Sequence, residues 1–118
     1  MPKITVKAEG TFDIVEGKRL VLALEDSGID LLHRCGGFAR CTTCRVVFSE
    51  GEPDRMTQAE RERLTNNLLL GKVRLSCQIP CDHDMTVEPV YRVHRGDAHE
   101  PGPRPQDEIT PPARWVKR

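Results

Sequence analysis

The sequence predicts an α+β domain in which a mixed β-sheet packs against one main helix. Three observations support this fold class. Apolar and polar residues alternate near the N-terminus and again after residue 84, as they do in half-buried strands. Two segments between these regions have the spacing or the capping residues of helices. Taken in chain order, the segments are strand, strand, helix, strand, helix, strand and strand.

The first two strands form a hairpin. Residues 4–8 and 12–14 place apolar side chains at alternate positions. Glu9 and Gly10 supply the turn between them. Three further strands are predicted, over 45–48, 73–75 and 85–90.

The main helix is predicted over 19–27, where leucine and alanine side chains recur at helical spacing. Gly28 stands where a helix ends in left-handed backbone. A second, shorter helix is expected to begin after Thr57, because Thr57 and Glu60 have the spacing of a capping box.

Acidic and basic residues are balanced, with 18 of each, so the formal net charge is zero. No basic stripe with interleaved aromatic residues appears, which argues against a nucleic-acid partner. No stretch approaches the roughly 20 apolar residues of a membrane-spanning helix. The strand pattern begins at residue 4, so we expect no leader peptide and no membrane association.

The five cysteines carry the strongest functional signal. Cys35, Cys41 and Cys44 lie in one glycine-bearing loop, and Cys77 follows 32 residues later in an apolar segment. Four thiolates in such a C-x5-C-x2-C-x32-C pattern can hold a [2Fe–2S] cluster, two on each iron. We therefore predict these four cysteines as metal ligands, with one cluster per chain. An odd number of cysteines does not suit a disulfide framework, and thiolate ligands suit a reducing, cytoplasmic compartment.

The loop residues fit that chemistry. Gly36 and Gly37 lack a Cβ, so the main chain can approach the cluster closely and direct N–H groups at its sulfurs. Hydrogen bonds to the sulfurs and partial burial both tune the reduction potential of such a centre.

Residues 35–46, CGGFARCTTCRV, resemble the cluster loop of [2Fe–2S] ferredoxins. The five-residue first gap is that of the adrenodoxin and putidaredoxin group, and RLSCQI at 74–79 resembles the segment with the last ligand in that group. Residues 16–31 resemble the helix and strand that precede the loop, and the whole likeness covers residues 3–91. The gap before Cys77 is shorter than in the adrenodoxin group. What is shortened is the segment that carries an acidic docking helix in vertebrate adrenodoxins.

The resemblance implies a β-grasp fold with the cluster loop at one edge of the sheet. The resemblance also implies a one-electron carrier rather than an enzyme. Such a carrier is expected to be a monomer that binds a ferredoxin reductase and a redox acceptor protein transiently. Two variants of this function stay open. In one the chain donates electrons to iron–sulfur cluster assembly, and in the other it is the detached electron-input component of an oxygenase.

A structural zinc site is a rival interpretation of the cysteines. Cys41, Cys44, Cys77 and Cys81 could hold zinc tetrahedrally, but this leaves Cys35 unused and the glycine pair unexplained. A Rieske centre fails, because no second cysteine–histidine pair lies downstream of Cys81.

A catalytic thiol paired with a histidine is a further alternative, of a different class. His33 or His83 would act as the base, yet no nucleophile motif surrounds either histidine. We expect His33 to be a plain, partly exposed imidazole, and Cys81 to be a buried, inert cysteine.

The exposed part of the loop should set the distance to redox partners. We expect it to comprise Phe38, Ala39, Arg40, Thr42 and Thr43. The expected partner face combines two arginines with acidic residues beyond them, namely Arg40, Arg45, Glu50, Glu52, Asp54, Glu60 and Glu62.

Residues 92–118 differ in composition from the rest and contain five of the nine prolines. We predict a ferredoxin domain over 1–91 and a Pro-rich, charged tail over 92–118, either disordered or draped on the domain. Ile109, Trp115 and Val116 are the apolar residues with which the tail could contact the domain.

Overall fold

The protein is described by a computed structural model that covers residues 1–94, 96 and 100–118. In chain order the elements are β1 (Lys3–Val6), β2 (Gly10–Asp13), α1 (Leu20–Asp26), β3 (Arg45–Glu50), β4 (Arg55–Thr57), α2 (Gln58–Asn66), β5 (Arg74–Leu75), β6 (Met85–Pro89) and β7 (Trp115–Lys117). A 3₁₀ turn over Ser76–Gln78 follows β5.

Five of these strands form a mixed sheet in the order β2-β1-β6-β3-β5. The predicted hairpin is present as the antiparallel pair β1–β2, whereas β1 runs parallel to β6. β3 lies antiparallel to both β6 and β5. The sheet and its two helices confirm the α+β, β-grasp fold class.

The main helix, α1, supplies much of the core. All residues from Leu20 to Leu24 are buried, and because they span more than one helical turn, this part of the helix is enclosed on every side. The helix is stopped as predicted by Gly28, which follows its last turn with a φ of +89°. The amide of Ile29 donates to the Leu24 carbonyl and that of Gly28 to the Glu25 carbonyl, which is the Schellman pattern. Neither helix in the described part of the chain is long and apolar enough to cross a membrane.

The second helix, α2, begins where the sequence predicts, but only half of the capping box forms. The Thr57 hydroxyl accepts a hydrogen bond from the Glu60 amide at 3.1 Å. The Glu60 side chain does not return to Thr57 and instead binds Arg74 and the Leu75 amide, each at 2.8 Å. The carboxylate is thereby used to join α2 to β5.

A second, two-stranded sheet was not anticipated from the sequence. Its strands are β4 and β7, so residues of the C-terminal tail pair with the main body of the chain. The Trp115 ring lies against Arg55, whose Cζ is 4.1 Å from the ring centroid, and Trp115 stays 37% exposed. Pro105, farther up the tail, is buried.

Candidate metal centre

The cysteine loop spans the connection between α1 and β3, and strand pairing brings its end to the distant Cys77. β3 pairs with β5 in a register that places Arg45 opposite Leu75. The next residue along, Ser76, donates to the Cys44 carbonyl from its amide at 3.2 Å and its hydroxyl at 2.7 Å. Cys44 and Cys77 therefore meet although 32 residues lie between them.

The four predicted ligands come together as two contacting pairs of thiols. Cys35 contacts Cys41, and Cys44 contacts Cys77. Cys44 and Cys77 are 3% and 0% exposed and form an inner pair. Cys35 and Cys41 are half-buried and form an outer pair nearer the surface.

Within each pair one thiol is hydrogen-bonded to the other, which shifts the two pKa values in opposite directions. In the outer pair this hydrogen bond lowers the pKa of Cys35 and raises that of Cys41. In the inner pair it lowers the pKa of Cys77 and raises that of Cys44. These opposite shifts arise because the two thiols of each pair lie within hydrogen-bond reach of each other.

Hydrogen-bond donors surround the outer sulfurs. The Phe38 amide donates to Cys35 Sγ at 3.3 Å, and the Cys35 amide donates to Cys41 Sγ at 3.3 Å. Thr43 also hydrogen-bonds to Cys41 Sγ, through its amide at 3.5 Å and its hydroxyl at 2.9 Å. Such donors stabilise negative charge on sulfur, as thiolate ligands require.

The loop is folded tightly and partly in left-handed backbone. Gly36 and Gly37 have φ values of +72° and +88°, and Ala39 and Thr42 have +58° and +57°. A Cβ added to Gly37 would lie 2.6 Å from Arg19 Nη2 and 2.8 Å from Pro105 Cβ. Glycine is therefore required at residue 37, and non-glycine residues with positive φ concentrate at functional sites.

A buried arginine beside the cysteines is the main feature that the sequence did not indicate. Arg19 is 1% exposed, and its Nε and Nη2 donate to the Cys77 carbonyl at 2.9 and 2.7 Å. Nη2 also donates to the Gly37 carbonyl at 2.6 Å, and Nη1 donates to the carbonyls of Gln106 and Glu108 at 2.8 and 3.0 Å. All five N–H groups are thus used, and none goes to a carboxylate.

The charge of Arg19 is balanced by the cysteines. Burial lowers the pKa of Arg19, and the nearby Cys77, Cys44 and Cys35 oppose that shift. Its position just before α1 could have marked Arg19 as a functional residue. A cation at the positive, N-terminal end of a helix is unfavourable unless another group compensates for it. Four negative sulfur ligands would supply that compensation.

Several expectations about the loop and its surroundings are wrong. Ala39 and Thr42 are buried, whereas Phe38 and Arg40 are exposed. Glu60 is fully buried against Arg74 and does not belong to a partner face. Burial raises the pKa of Glu60, and the hydrogen bond from Arg74 opposes that rise.

His33 and Cys81, the two other candidates near the site, are both buried. His33 is 1% exposed rather than partly exposed, and its Nε2 lies 2.7 Å from Glu25 Oε1. Its Nδ1 has no hydrogen-bond partner among the described residues. Burial raises the pKa of Cys81 to about 12, so this thiol stays protonated at neutral pH.

The geometry fits a two-iron centre better than a single ion. A zinc ion needs three or four donors at one point. In the described part of the chain no group of three or more Cys, His, Asp or Glu side chains is placed in that way. Two thiol pairs, amide donors at sulfur and an adjoining buried cation are what a [2Fe–2S] cluster would require of its protein.

Comparison with known proteins agrees with this geometry. A family model described as "2Fe-2S iron-sulfur cluster binding domain" matches residues 4–82. The F subunit of the Na(+)-translocating NADH-quinone reductase of Chlamydia pneumoniae is 36% identical over 88 residues, 73% of this chain. The chain spans only 20% of the length of that relative.

Two solved structures of similar size share the fold. The ISC-like [2Fe-2S] ferredoxin FdxB of Pseudomonas putida has a TM-score of 0.60 at 26% identity, covering 75% of this chain and 91% of FdxB. A reduced putidaredoxin variant, also of Pseudomonas putida, has a TM-score of 0.57 at 25% identity, covering 76% of this chain and 97% of putidaredoxin.

Proposed function

The chain belongs to the family of 2Fe-2S iron–sulfur cluster binding domains, and from that membership we propose that it carries single electrons between redox proteins. Cys35, Cys41, Cys44 and Cys77 would hold one [2Fe–2S] cluster. The observation that carries the proposal is the arrangement of these thiols as two contacting pairs, one pair for each iron. The cluster, when bound, supplies a one-electron redox couple.

The residues around the thiols have three roles in this function. The buried inner pair excludes water from one side of the site, while the half-buried outer pair lies nearest to solvent. Amide and hydroxyl donors from Phe38 and Thr43 stabilise charge on the outer sulfurs. Arg19 supplies a fixed positive charge behind Cys77. None of these roles makes or breaks a covalent bond of a substrate, so we assign no catalytic residue.

Electrons would enter and leave beside the outer pair. Phe38 and Arg40, both exposed, lie in the loop between Cys35 and Cys41. A partner docked over Phe38 and Arg40 would approach the sulfurs of the half-buried outer pair. The sulfurs of the inner pair are buried and lie farther from any docked protein. We propose a ferredoxin reductase as donor and a redox protein as acceptor, in brief encounters with a monomer in the cytoplasm.

A second candidate is an electron-input component that serves one larger enzyme. It is favoured by the similarity to the F subunit of the quinone reductase, in which the matching region is a fifth of a much longer protein. The similarity to FdxB, which the chain covers almost completely, instead favours a freestanding carrier, including one that supplies cluster assembly.

A reductive titration tests the proposed function. The purified protein is titrated anaerobically with dithionite while its visible absorbance is recorded. We expect bleaching to be complete after one electron per chain and to reverse on reoxidation. A protein that takes up no electrons, or that is reduced irreversibly, would not be an electron carrier.

A further inference from the structure

Four arginines surround the surface loop that contains the outer cysteine pair. They are Arg34, Arg40, Arg45 and Arg63, and together they are called the arginine rim below. Arg34 and Arg40 are exposed, and Arg45 and Arg63 are half-buried. Three of them come from the loop or its ends, whereas Arg63 comes from α2.

The side chains of three rim arginines, Arg40, Arg45 and Arg63, each contact a different residue of the loop. Arg40 Cζ lies 5.7 Å from the centroid of the Phe38 ring. Arg63 Nε donates to the Ala39 carbonyl at 3.1 Å. These two contacts hold positive charge against the part of the loop between Cys35 and Cys41.

The remaining two arginines contact the loop after Cys41, at Thr42 and Thr43. Arg45 donates to the Thr42 carbonyl at 3.0 Å and to its hydroxyl at 2.8 Å. Arg34 is anchored to the loop through its main-chain amide, which donates to the Thr43 hydroxyl at 3.0 Å, and its side chain is exposed. Arginine side chains therefore contact loop residues both before and after the half-buried Cys41 in the chain.

No carboxylate neutralises the rim within the part of the chain that the structure describes. Residues 31–49 contain no Asp or Glu. The ion pairs among described residues involve none of the four arginines. Three of the five acidic residues expected beside the loop are engaged elsewhere: Glu52 and Glu60 pair with Arg74, and Glu52 and Asp54 pair with Arg118.

Charge is consequently separated across the domain. Residues 1–91 contain 12 Lys and Arg against 14 Asp and Glu. Without the four rim arginines, eight basic residues face 14 acidic ones. Basic residues are thus concentrated at the redox loop, although residues 1–91 as a whole are slightly acidic. A bound oxidised cluster, with a charge of about −2, reduces this local excess without reversing it.

We propose that the arginine rim is the docking surface for a redox partner whose cofactor opening is lined with Asp and Glu. This inference rests on the proposed function, because only an electron carrier needs a partner at that loop. Opposite charges around two facing redox centres steer the encounter and fix its orientation. A protein partner fits better than nucleic acid, because Phe38 is the sole aromatic residue between Cys35 and Cys44 and no series of bases could stack there.

The proposal is tested first with a small anionic oxidant in place of the partner. Reduced protein is mixed with hexacyanoferrate(III), and the single electron transferred to its iron(III) is followed by stopped flow. At an ionic strength of about 0.1 M the Debye length is about 10 Å, so charges near the loop dominate. We expect the rate to fall as salt is added, because salt screens the attraction between the basic rim and the anionic oxidant.

Matched variants locate the attracting charge. Arg34→Gln/Arg40→Gln removes two rim charges, and Lys3→Gln/Lys7→Gln removes two exposed charges on the hairpin, which β6 separates from β3. We expect the arginine variant to react several-fold more slowly and to lose most of its salt dependence, with the lysine variant close to wild type. Equal effects of the two variants, or a rate that rises with salt in the wild type, would overturn the proposal.

Binding of poly-L-glutamate provides a readout that does not involve electron transfer. Isothermal titration of the holo-protein should show binding that weakens with salt and is lost in Arg34→Gln/Arg40→Gln but not in Lys3→Gln/Lys7→Gln. Absence of a difference between the variants counts against the docking surface alone. Absence of the cluster's absorbance counts against the proposed function. A duplex oligonucleotide that binds more tightly than poly-L-glutamate would replace the protein partner with nucleic acid and refute the proposal.

Discussion

Arg19 donates two hydrogen bonds to the main-chain carbonyl of Cys77, from Nε at 2.9 Å and from Nη2 at 2.7 Å. The residue just before the main helix thus fixes the last cysteine of the site, 58 positions along the chain. A guanidinium this deeply buried ordinarily needs a carboxylate. Here the partners are carbonyls, and the nearest negative charge would be that of the sulfur ligands.

Replacing Arg19 should alter the reduction potential as well as stability. In Arg19→Met the fixed charge is lost, so we expect a more negative potential, because the reduced site carries more negative charge. We also expect a loss of roughly 3 kcal/mol in stability, since several buried carbonyls lose their donors. Protein-film voltammetry measures the first effect and thermal melting the second.

Arg19→Lys is the matched control for charge. It keeps the positive charge but donates fewer hydrogen bonds. We expect a potential near that of the wild type together with a lowered melting temperature. If the Met and Lys variants had the same potential, Arg19 would be acting only as a structural link.

Removal of the tail beyond Gly102 should loosen the site without changing its ligands. The deletion takes away the carbonyls of Gln106 and Glu108 that Arg19 binds and the strand β7 that pairs with β4. We expect the wild-type visible spectrum at the outset, then faster loss of cluster absorbance and a lower melting temperature. Truncation after Ala113, which removes β7 but keeps residues 106–110, separates the two contributions. A full truncation as stable as the wild type would show that the tail contacts contribute nothing.

Breaking the buried ion pair between Glu60 and Arg74 should be costly. Glu60→Ala leaves the Arg74 guanidinium buried without its main partner, and removing one member of such a pair costs about 3–5 kcal/mol. A change of that size corresponds to a drop of about 10 °C or more in the melting temperature of a domain of this size. Glu62→Ala, on the exposed side of the same helix, should change stability by no more than about 0.5 kcal/mol. Similar melting temperatures for the two variants would contradict the role given to Glu60.

Substitution of single cysteines should separate Cys81 from the proposed ligands. Cys81 is fully buried and its thiol stays protonated, so Cys81→Ala should retain the visible spectrum. Cys41→Ala and Cys44→Ala each remove a member of a thiol pair. Both variants should lose the visible spectrum or show a grossly altered one. A spectrum lost in Cys81→Ala and kept in Cys41→Ala would show that the ligand set is wrong.

The features that could be predicted from the sequence depend on short-range patterns. The hairpin follows from alternation, the end of α1 from Gly28, and the start of α2 from Thr57. The predicted ligands follow from cysteine spacing, and the structure brings all four into contacting pairs. Apart from Cys77, which the spacing pattern links to a loop 32 residues earlier, each of these signals lies within a few residues of the structure it specifies.

The missed features depend on partners far apart in the chain. Glu60 has the spacing of a capping residue, and only the folded chain reveals that Arg74 takes its carboxylate. The carbonyls that Arg19 binds lie up to 89 positions away and have no side-chain signature. The pairing of β4 with β7 joins two three-residue strands, which are too short to produce a periodic pattern.

The division of the chain at residue 91 stays a prediction. Arg92 is 3% exposed and pairs with Glu9 and Asp30, so a truncation meant to isolate the domain should retain it.

Analysis of metal and sulfide in protein prepared anaerobically is the decisive test of the proposed cluster. The two thiol pairs predict two irons and two acid-labile sulfides per chain, with the red-brown absorbance of a [2Fe–2S] protein. One zinc per chain, with no sulfide and no colour, would contradict the assignment of these cysteines to a two-iron centre.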